Sequence, residues 1–196
     1  MKNNYIYTIF FVFLISAVFT AILASVNAFY TPVIRENEQV AKTVSILSSL
    51  GFDNIENNKD INRLFEENIE QEERFGTVVY TQYNDEQKPI AYAIEFIGSG
   101  LWGSINGYLG VSADLNEIVG IDFTSHSETP GLGGRIDEQW YKDQFVGIKV
   151  TDPFYIKNKV DGDGDVDAIT GATLTSNSVV SIINEAIEKI QKQEEA

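Results

Sequence analysis

The sequence predicts an α+β fold, an antiparallel sheet with packed helices, preceded by one N-terminal transmembrane helix. Three observations lead there. Residues 5–29 form an almost wholly apolar run, and no charge occurs between Lys2 and Arg35. The middle of the chain alternates apolar and polar residues in short runs separated by polar turns. The final segment places apolar residues at the spacing of one helix face.

At about 1.5 Å per residue, a helix of this apolar run exceeds the roughly 20 residues needed to cross a bilayer. The rival reading is a cleaved signal peptide, since Val26, Asn27 and Ala28 make a small-residue cleavage site. Signal-peptide apolar cores span only about 7–15 residues, which favours a retained anchor. Lys2 lies on one side of the run, and on the other Arg35 and Lys42 are offset by Glu36 and Glu38, so the amino terminus is read as cytoplasmic. Residues 1–31 are then the membrane anchor, 32–75 a stalk and helical lead-in, and 76–196 the main domain, outside the cytoplasm.

Within 32–50, Val33, Val40, Val44, Leu47 and Leu50 recur at helical intervals, and Gly51 ends the pattern. A second helix is expected over 60–72, with Asp60 as its cap and Ile61, Leu64, Phe65 and Ile69 on one face. The acidic run 66–73 reads as a solvated helix face. Period two then takes over. Strands are expected at 77–83 and at 90–97, where Ile90, Tyr92, Ile94 and Phe96 share a face. Further strands at 107–112 and 118–123 flank a turn at Asp114, Leu115 and Asn116, and a helix at 137–145 precedes a last strand at 147–151. Such short links favour antiparallel pairing, because a parallel crossover takes a dozen or more residues. In the final helix Val179, Ile182, Ile183, Ala186, Ile187 and Ile190 form one stripe, which must cover the sheet.

Composition narrows the chemistry. The 196 residues, 43% apolar, suffice for one domain with a core. With no cysteine, disulfide scaffolds, thiolate metal sites and cysteine nucleophiles are excluded, and a single histidine excludes an all-histidine metal triad. A net charge of −15 argues against nucleic acid as a partner, since phosphate backbones are bound by clustered Lys and Arg. Asp161, Asp163 and Asp165 alternate like the start of a calcium loop, but Val166 stands where glycine is needed and Ala172 where glutamate is needed. A solvated turn accounts for them better, and no metal site is assigned. His126 stands between Ser125 and Ser127 with no orienting carboxylate at an obvious spacing apart from Glu128, so a loop hydrogen bond or ring contact is favoured over catalysis.

The informative stretch is 167–176, just before the last helix. Its hydroxyls gather where unpaired N–H groups and the positive end of a helix dipole attract an anion. The competing reading is an ordinary cap made by Thr175 or Ser176. Asp167, Thr170, Gly171, Ala172 and Thr173 fit the pattern Asp-x-x-(Ser/Thr)-Gly-Ala-Thr, which resembles the flavinylation motif of the FMN-binding domain family. Residues 125–133 resemble that family's Glu-Thr-Pro-Gly-Leu-Gly loop, and residues 101–105 its Trp-Gly segment.

The resemblance implies covalent FMN, linked through its phosphate to Thr173 by a dedicated flavin transferase, with Thr175 as a phosphate or flavin contact and the fallback attachment point. It makes 76–196 an FMN-binding domain. Thr170, Gly171, Ala172 and Leu174 belong to the attachment turn, and Asp167 to recognition by the transferase. Glu128 and Thr129 are expected to hydrogen-bond the flavin ring, and Gly131, Leu132 and Gly133 to let the backbone approach it. Trp102, with Leu101, either packs on the flavin or plugs the core. No catalytic residue is assigned. The layout is similar to the peripheral flavoprotein subunits of the Rnf and Nqr complexes, which implies electron transfer within an ion-translocating oxidoreductase, alongside other membrane subunits. The motifs do not choose between Rnf and Nqr. The alternatives are a stand-alone extracytoplasmic FMN carrier and a non-redox tethered binding module.

Overall fold

The structure, a computed structural model, describes residues 4–52, 55, 61–150, 158–159 and 166–194. It divides into two units, Met1–Val40 and Ala41–Ala196. Helix α1 (Asn4–Ser49) supplies the whole described part of the first unit and enters the second. In the first unit its large apolar side chains, among them Phe13, Leu23 and Phe29, are exposed. The most apolar 18-residue window has a mean hydropathy of 2.7, so the helix is long and apolar enough to cross a membrane. The stalk helix expected from residue 32 is continuous with this apolar run, because Pro32 removes only one backbone donor from a long ladder.

The stop at Gly51 is made by left-handed backbone, φ +83°. Gly51 N–H donates to the Ser48 carbonyl at 3.0 Å and Phe52 N–H to that of Leu47 at 3.1 Å, the paired bonds of a Schellman ending. In the second unit, the last turns of α1 bury Ile46, Leu47 and Leu50 against Tyr80, Ala91, Ala93 and Tyr108.

Five strands form an antiparallel meander: β1 (Ile69–Arg74), β2 (Thr77–Tyr83), β3 (Pro89–Ser99), β4 (Ser104–Ser112) and β5 (Ile118–Ser125). Both faces are covered. One carries Tyr92, Ile94 and Phe96 toward the terminal helix, and the other carries Ala91 and Ala93 toward the end of α1. Ile90, expected to share the buried face of β3, is instead exposed at the strand's start.

Three expected elements differ. The helix predicted over 60–72 is α2 (Ile61–Asn68), and its last part is strand β1, with Asp60 outside the described residues. Phe75 and Gly76, both at positive φ, turn β1 back onto β2, so pairing overrides the local helical spacing. Glu72 accordingly lies on a strand and accepts a hydrogen bond from the Thr81 hydroxyl at 2.5 Å. The helix predicted over 137–145 is broken into a 3-10 turn (Gly133–Asp137), the short α3 (Gln139–Lys142) and a second 3-10 turn (Asp143–Phe145), because Glu138 takes extended backbone. The strand expected at 147–151 is a single bridge, Glu117 to Lys149, lying along the start of β5; Thr151 falls outside the described residues.

Two two-residue strands, β6 (Asn158–Lys159) and β7 (Val166–Asp167), pair in parallel ahead of the turn that leads into the last helix. The aspartates at 161, 163 and 165 lie outside the described residues. Helix α4 (Thr173–Glu194) then lays Val179, Ile182, Ile183, Ile187 and Ile190 on the sheet. At Gly98 a Cβ would meet Ile182 Cγ1 at 2.2 Å, so only glycine allows this approach of helix to β3.

Candidate functional site

The turn ahead of α4 is built by Gly171 at φ +80° and by an Ala172 N–H bond to the Ile169 carbonyl at 2.9 Å. The Ser176 hydroxyl accepts from Ile169 N–H at 3.0 Å and donates to the Ala172 carbonyl at 3.2 Å, riveting the turn to the helix. Neither residue proposed as the cap performs that role. The helix begins two residues earlier than Thr175, at Thr173, and Thr175 donates sideways to a carboxylate. Thr170, Gly171, Thr173 and Leu174 are exposed, Leu174 at 62%, whereas Thr175 is 1% exposed and Ala172 is buried in the larger core. Asp167 is exposed on β7, its N–H held by the Gln144 side-chain carbonyl at 2.7 Å.

The receiving carboxylate is Glu128, itself only 5% exposed. Its Oε2 accepts from the Thr175 hydroxyl at 2.6 Å, and its Oε1 from the N–H groups of Leu101 at 2.8 Å and Trp102 at 3.1 Å. All three sequence motifs therefore meet at one buried carboxylate. In the loop that follows, the Thr129 carbonyl accepts from Leu132 N–H at 3.1 Å and Gly134 N–H at 2.9 Å. Gly131, at φ +74°, has nothing within 4 Å of where a Cβ would stand. Leu132 reaches across to the turn ahead of α4, its Cδ2 3.2 Å from the Cβ position on Gly171. Gly133 is buried against Glu128 and Thr175.

Trp102 is 69% exposed, which rules out the core-plug reading. Leu101, Leu132 and Leu174 are exposed as well, so each of the three loops presents an apolar side chain at the surface. His126 is oriented by a carboxylate that sequence reasoning missed. Its Nε2 is 2.9 Å from Asp137 Oδ2, and its Nδ1 accepts the Glu128 N–H at 3.2 Å. A separation of eleven residues across a 3-10 turn leaves no local signal for this pair. The expected loop hydrogen bond is present. On β5, burial pushes the Asp122 carboxyl above its ordinary value although Lys142 Nζ lies 2.7 Å away, and in α3 burial raises the Tyr141 hydroxyl strongly.

These residues fit FMN in kind. Thr173 is exposed on the first turn of a helix, suited to a phosphate, and the exposed apolar side chains of the three loops suit a flat aromatic ring. The three loops all fall within residues 100–188, the stretch matched by the FMN-binding domain family. The ion-translocating oxidoreductase subunit designated G from Vibrio atlanticus is 32% identical over 206 aligned residues, covering 100% of this chain and 92% of that protein. The chain belongs to the FMN-binding domain family, in the group that holds the subunits of these complexes.

The counterpart of that subunit in Methanosarcina acetivorans is 38% identical over 105 residues, 54% of each protein. In Pseudomonas aeruginosa, the Na(+)-translocating NADH-quinone reductase has a subunit, designated C, that is 33% identical over 127 residues, 59% of this chain and 48% of that one. The chain thus spans about half the length of these two relatives. Two crystal structures share the fold. They are NqrC from Shewanella oneidensis, with TM-score 0.66, 19% identity and coverage of 79% of this chain and 96% of that one, and the same reductase component from Parabacteroides distasonis, with TM-score 0.66, 24% identity and coverage of 82% and 94%.

Proposed function

We propose that this chain is a membrane-anchored flavoprotein subunit that carries FMN esterified through its phosphate to Thr173 and transfers electrons within an Rnf/Nqr-type ion-translocating oxidoreductase. The observation that carries the reading is the contrast between the two candidate threonines: Thr173 is exposed at the start of α4, while the Thr175 hydroxyl is buried and spent on Glu128. A flavin transferase has access to the first and not to the second.

In this reading Thr173 would supply the ester oxygen, its hydroxyl hydrogen leaving with the group that the transferase displaces, and the N–H groups and positive dipole end of the first turn of α4 would favour the phosphate. Leu101, Trp102, Leu132 and Leu174 would hold the ring by apolar contact, Gly131 would leave it room, and Thr170 and Thr129 would offer hydroxyls. Glu128 supports the site from beneath through bonds that are already made. Bound FMN supplies reversible electron transfer, and the chain supplies placement and electrostatics. Residues 32–196 carry −16 charges, so a flavin phosphate of about −2 is repelled at long range and free FMN is diluted outside the cell. An ester removes dissociation altogether.

Helix α1 supplies the anchor, with the amino terminus cytoplasmic and residues 76–196 outside, retained rather than cleaved. The other membrane subunits of the complex are its partners, so the chain is not catalytically complete alone. The test is co-expression with a flavin transferase, followed by denaturing electrophoresis under ultraviolet light. The wild-type band fluoresces, Thr175→Ala still fluoresces, and Thr173→Ala does not; a fluorescent Thr173→Ala band refutes the attachment site.

A further inference from the structure

We infer that Glu128 is a positioning residue of the flavin site, whose carboxylate clamps the Leu101–Trp102 segment to the first turn of α4 and so fixes Trp102 relative to the Thr173 hydroxyl. This rests on Thr173 being the attachment point. A buried carboxylate is unfavourable unless its oxygens are hydrogen-bonded, and here the donors come from far away in sequence. They are the N–H groups 27 and 26 residues before it and a hydroxyl 47 residues after it. One side chain thus ties together three loops that the sheet and helix only bring near one another.

The surroundings are shaped for this carboxylate. A Cβ on Gly100 would lie 2.5 Å from Oε1, and a Cβ on Gly133 would lie 2.7 Å from Oε2 and 2.6 Å from the Thr175 hydroxyl. Glycine at both places leaves the clamp its space. His126 holds the Glu128 N–H through Nδ1 and is braced by Asp137, which fixes the backbone from which the carboxylate projects. Trp102, whose own amide is one of the two that the clamp holds, has a mostly exposed side chain. The carboxylate therefore acts on the flavin through the indole and not by touching the ring.

The chemistry separates shape from charge. In Glu128→Gln, Oε1 keeps both amide donors, and the new Nε2–H donates to the Thr175 hydroxyl, which turns to accept it. All three bonds survive without the charge. In Glu128→Ala none survives, and Thr175→Val removes one donor at nearly unchanged volume.

The experiment uses the full chain, flavinylated in cells and purified in detergent, with visible-region circular dichroism and fluorescence of the attached flavin and a thermal unfolding midpoint for each protein. Glu128→Gln keeps the wild-type flavin signals. Glu128→Ala loses the induced flavin dichroism and gains severalfold in flavin fluorescence, as the quenching indole drifts off the ring, and Thr175→Val shifts both in the same direction. If Glu128→Ala fails to fold, Thr175→Val carries the comparison. A lowered unfolding midpoint with unchanged flavin signals means that the residue only stabilises the fold, and overturns the inference. Loss of the signals in Glu128→Gln to the extent seen in Glu128→Ala assigns the effect to charge and also overturns it. Wild-type chain without flavin sinks the attachment reading itself, whereas a normally flavinylated Glu128→Ala protein with wild-type signals sinks only the clamp.

Discussion

Replacing Gly110 by alanine tests how the end of α1 is seated on the sheet within the second unit. A Cβ at Gly110 would stand 1.9 Å from the Ser49 carbonyl oxygen and 2.7 Å from its carbon, and these are backbone atoms that no rotamer change can move. Ordinary contact needs about 3.5 Å, so the helix end must retreat by roughly 1.5 Å. Retreat loosens Ile46, Leu47 and Leu50, which are exposed by only 1%, 0% and 4%. Overpacking against yielding neighbours costs about 1–3 kcal/mol, and full undocking of three large apolar side chains would cost about 1.5–3 kcal/mol each. Partial retreat predicts a loss of about 3 kcal/mol, a large share of a typical stability of about 5–15 kcal/mol.

The control is Gly131→Ala, which has open space but a left-handed φ of +74° and is expected to lose only about 1–2 kcal/mol. Urea unfolding of the full chain in mild detergent measures both. Amide exchange over residues 45–50 should accelerate in Gly110→Ala alone. Equal stabilities, or a larger loss in Gly131→Ala, would refute the reasoning.

Thr175→Val leaves Glu128 Oε2 without its hydroxyl donor in a buried site and should cost about 1–3 kcal/mol by chemical denaturation; a stability within 0.5 kcal/mol of wild type, on the scale of about ±0.5 for neutral surface changes, would contradict the bond. Trp102→Ala should leave stability nearly unchanged, because the side chain is mostly exposed, while raising the fluorescence of attached flavin; a substantial loss of stability would restore the core-plug reading. Asp122 gives a pH prediction. Burial raises its folded carboxyl above the ordinary 3.8, so its stabilising contribution is full below that value and declines as pH rises through the folded value. The stability of wild type relative to Asp122→Asn should therefore fall as pH climbs above about 4, by less than about 1.4 kcal/mol per pH unit. Urea unfolding across that range checks the slope, and a difference that is flat or rises counts against it.

Much of the fold was legible because its signals are local. The stripe from Val179 to Ile190 could only be a helix face, and strands β2 to β5 alternate or run between short polar turns. Strand β1 was hidden because Ile61, Leu64, Phe65 and Ile69 keep helical spacing across its start, and only the pairing of Glu70 with Thr81 and Glu72 with Val79 reveals it. The short α3 was obscured because buried Ile136, Tyr141 and Phe145 mimic a continuous helix, whose break at Glu138 depends on backbone angles.

At the candidate site the motifs themselves were readable, but their convergence was not. Nothing local says that Glu128 faces Thr175, that Asp137 braces His126, or that glycine at 100 and 133 makes room for one carboxylate. Those are long-range juxtapositions. Trp102 was ambiguous for the same reason, since exposure is set by what the rest of the chain leaves uncovered.

Intact-mass measurement of the full chain, produced with an active flavin transferase outside the cytoplasm, bears most directly on the proposed role. Wild type and Thr175→Ala should each gain the mass of FMN less one water, and Thr173→Ala should gain nothing. An unmodified wild-type chain, or an adduct that persists in Thr173→Ala, would contradict it.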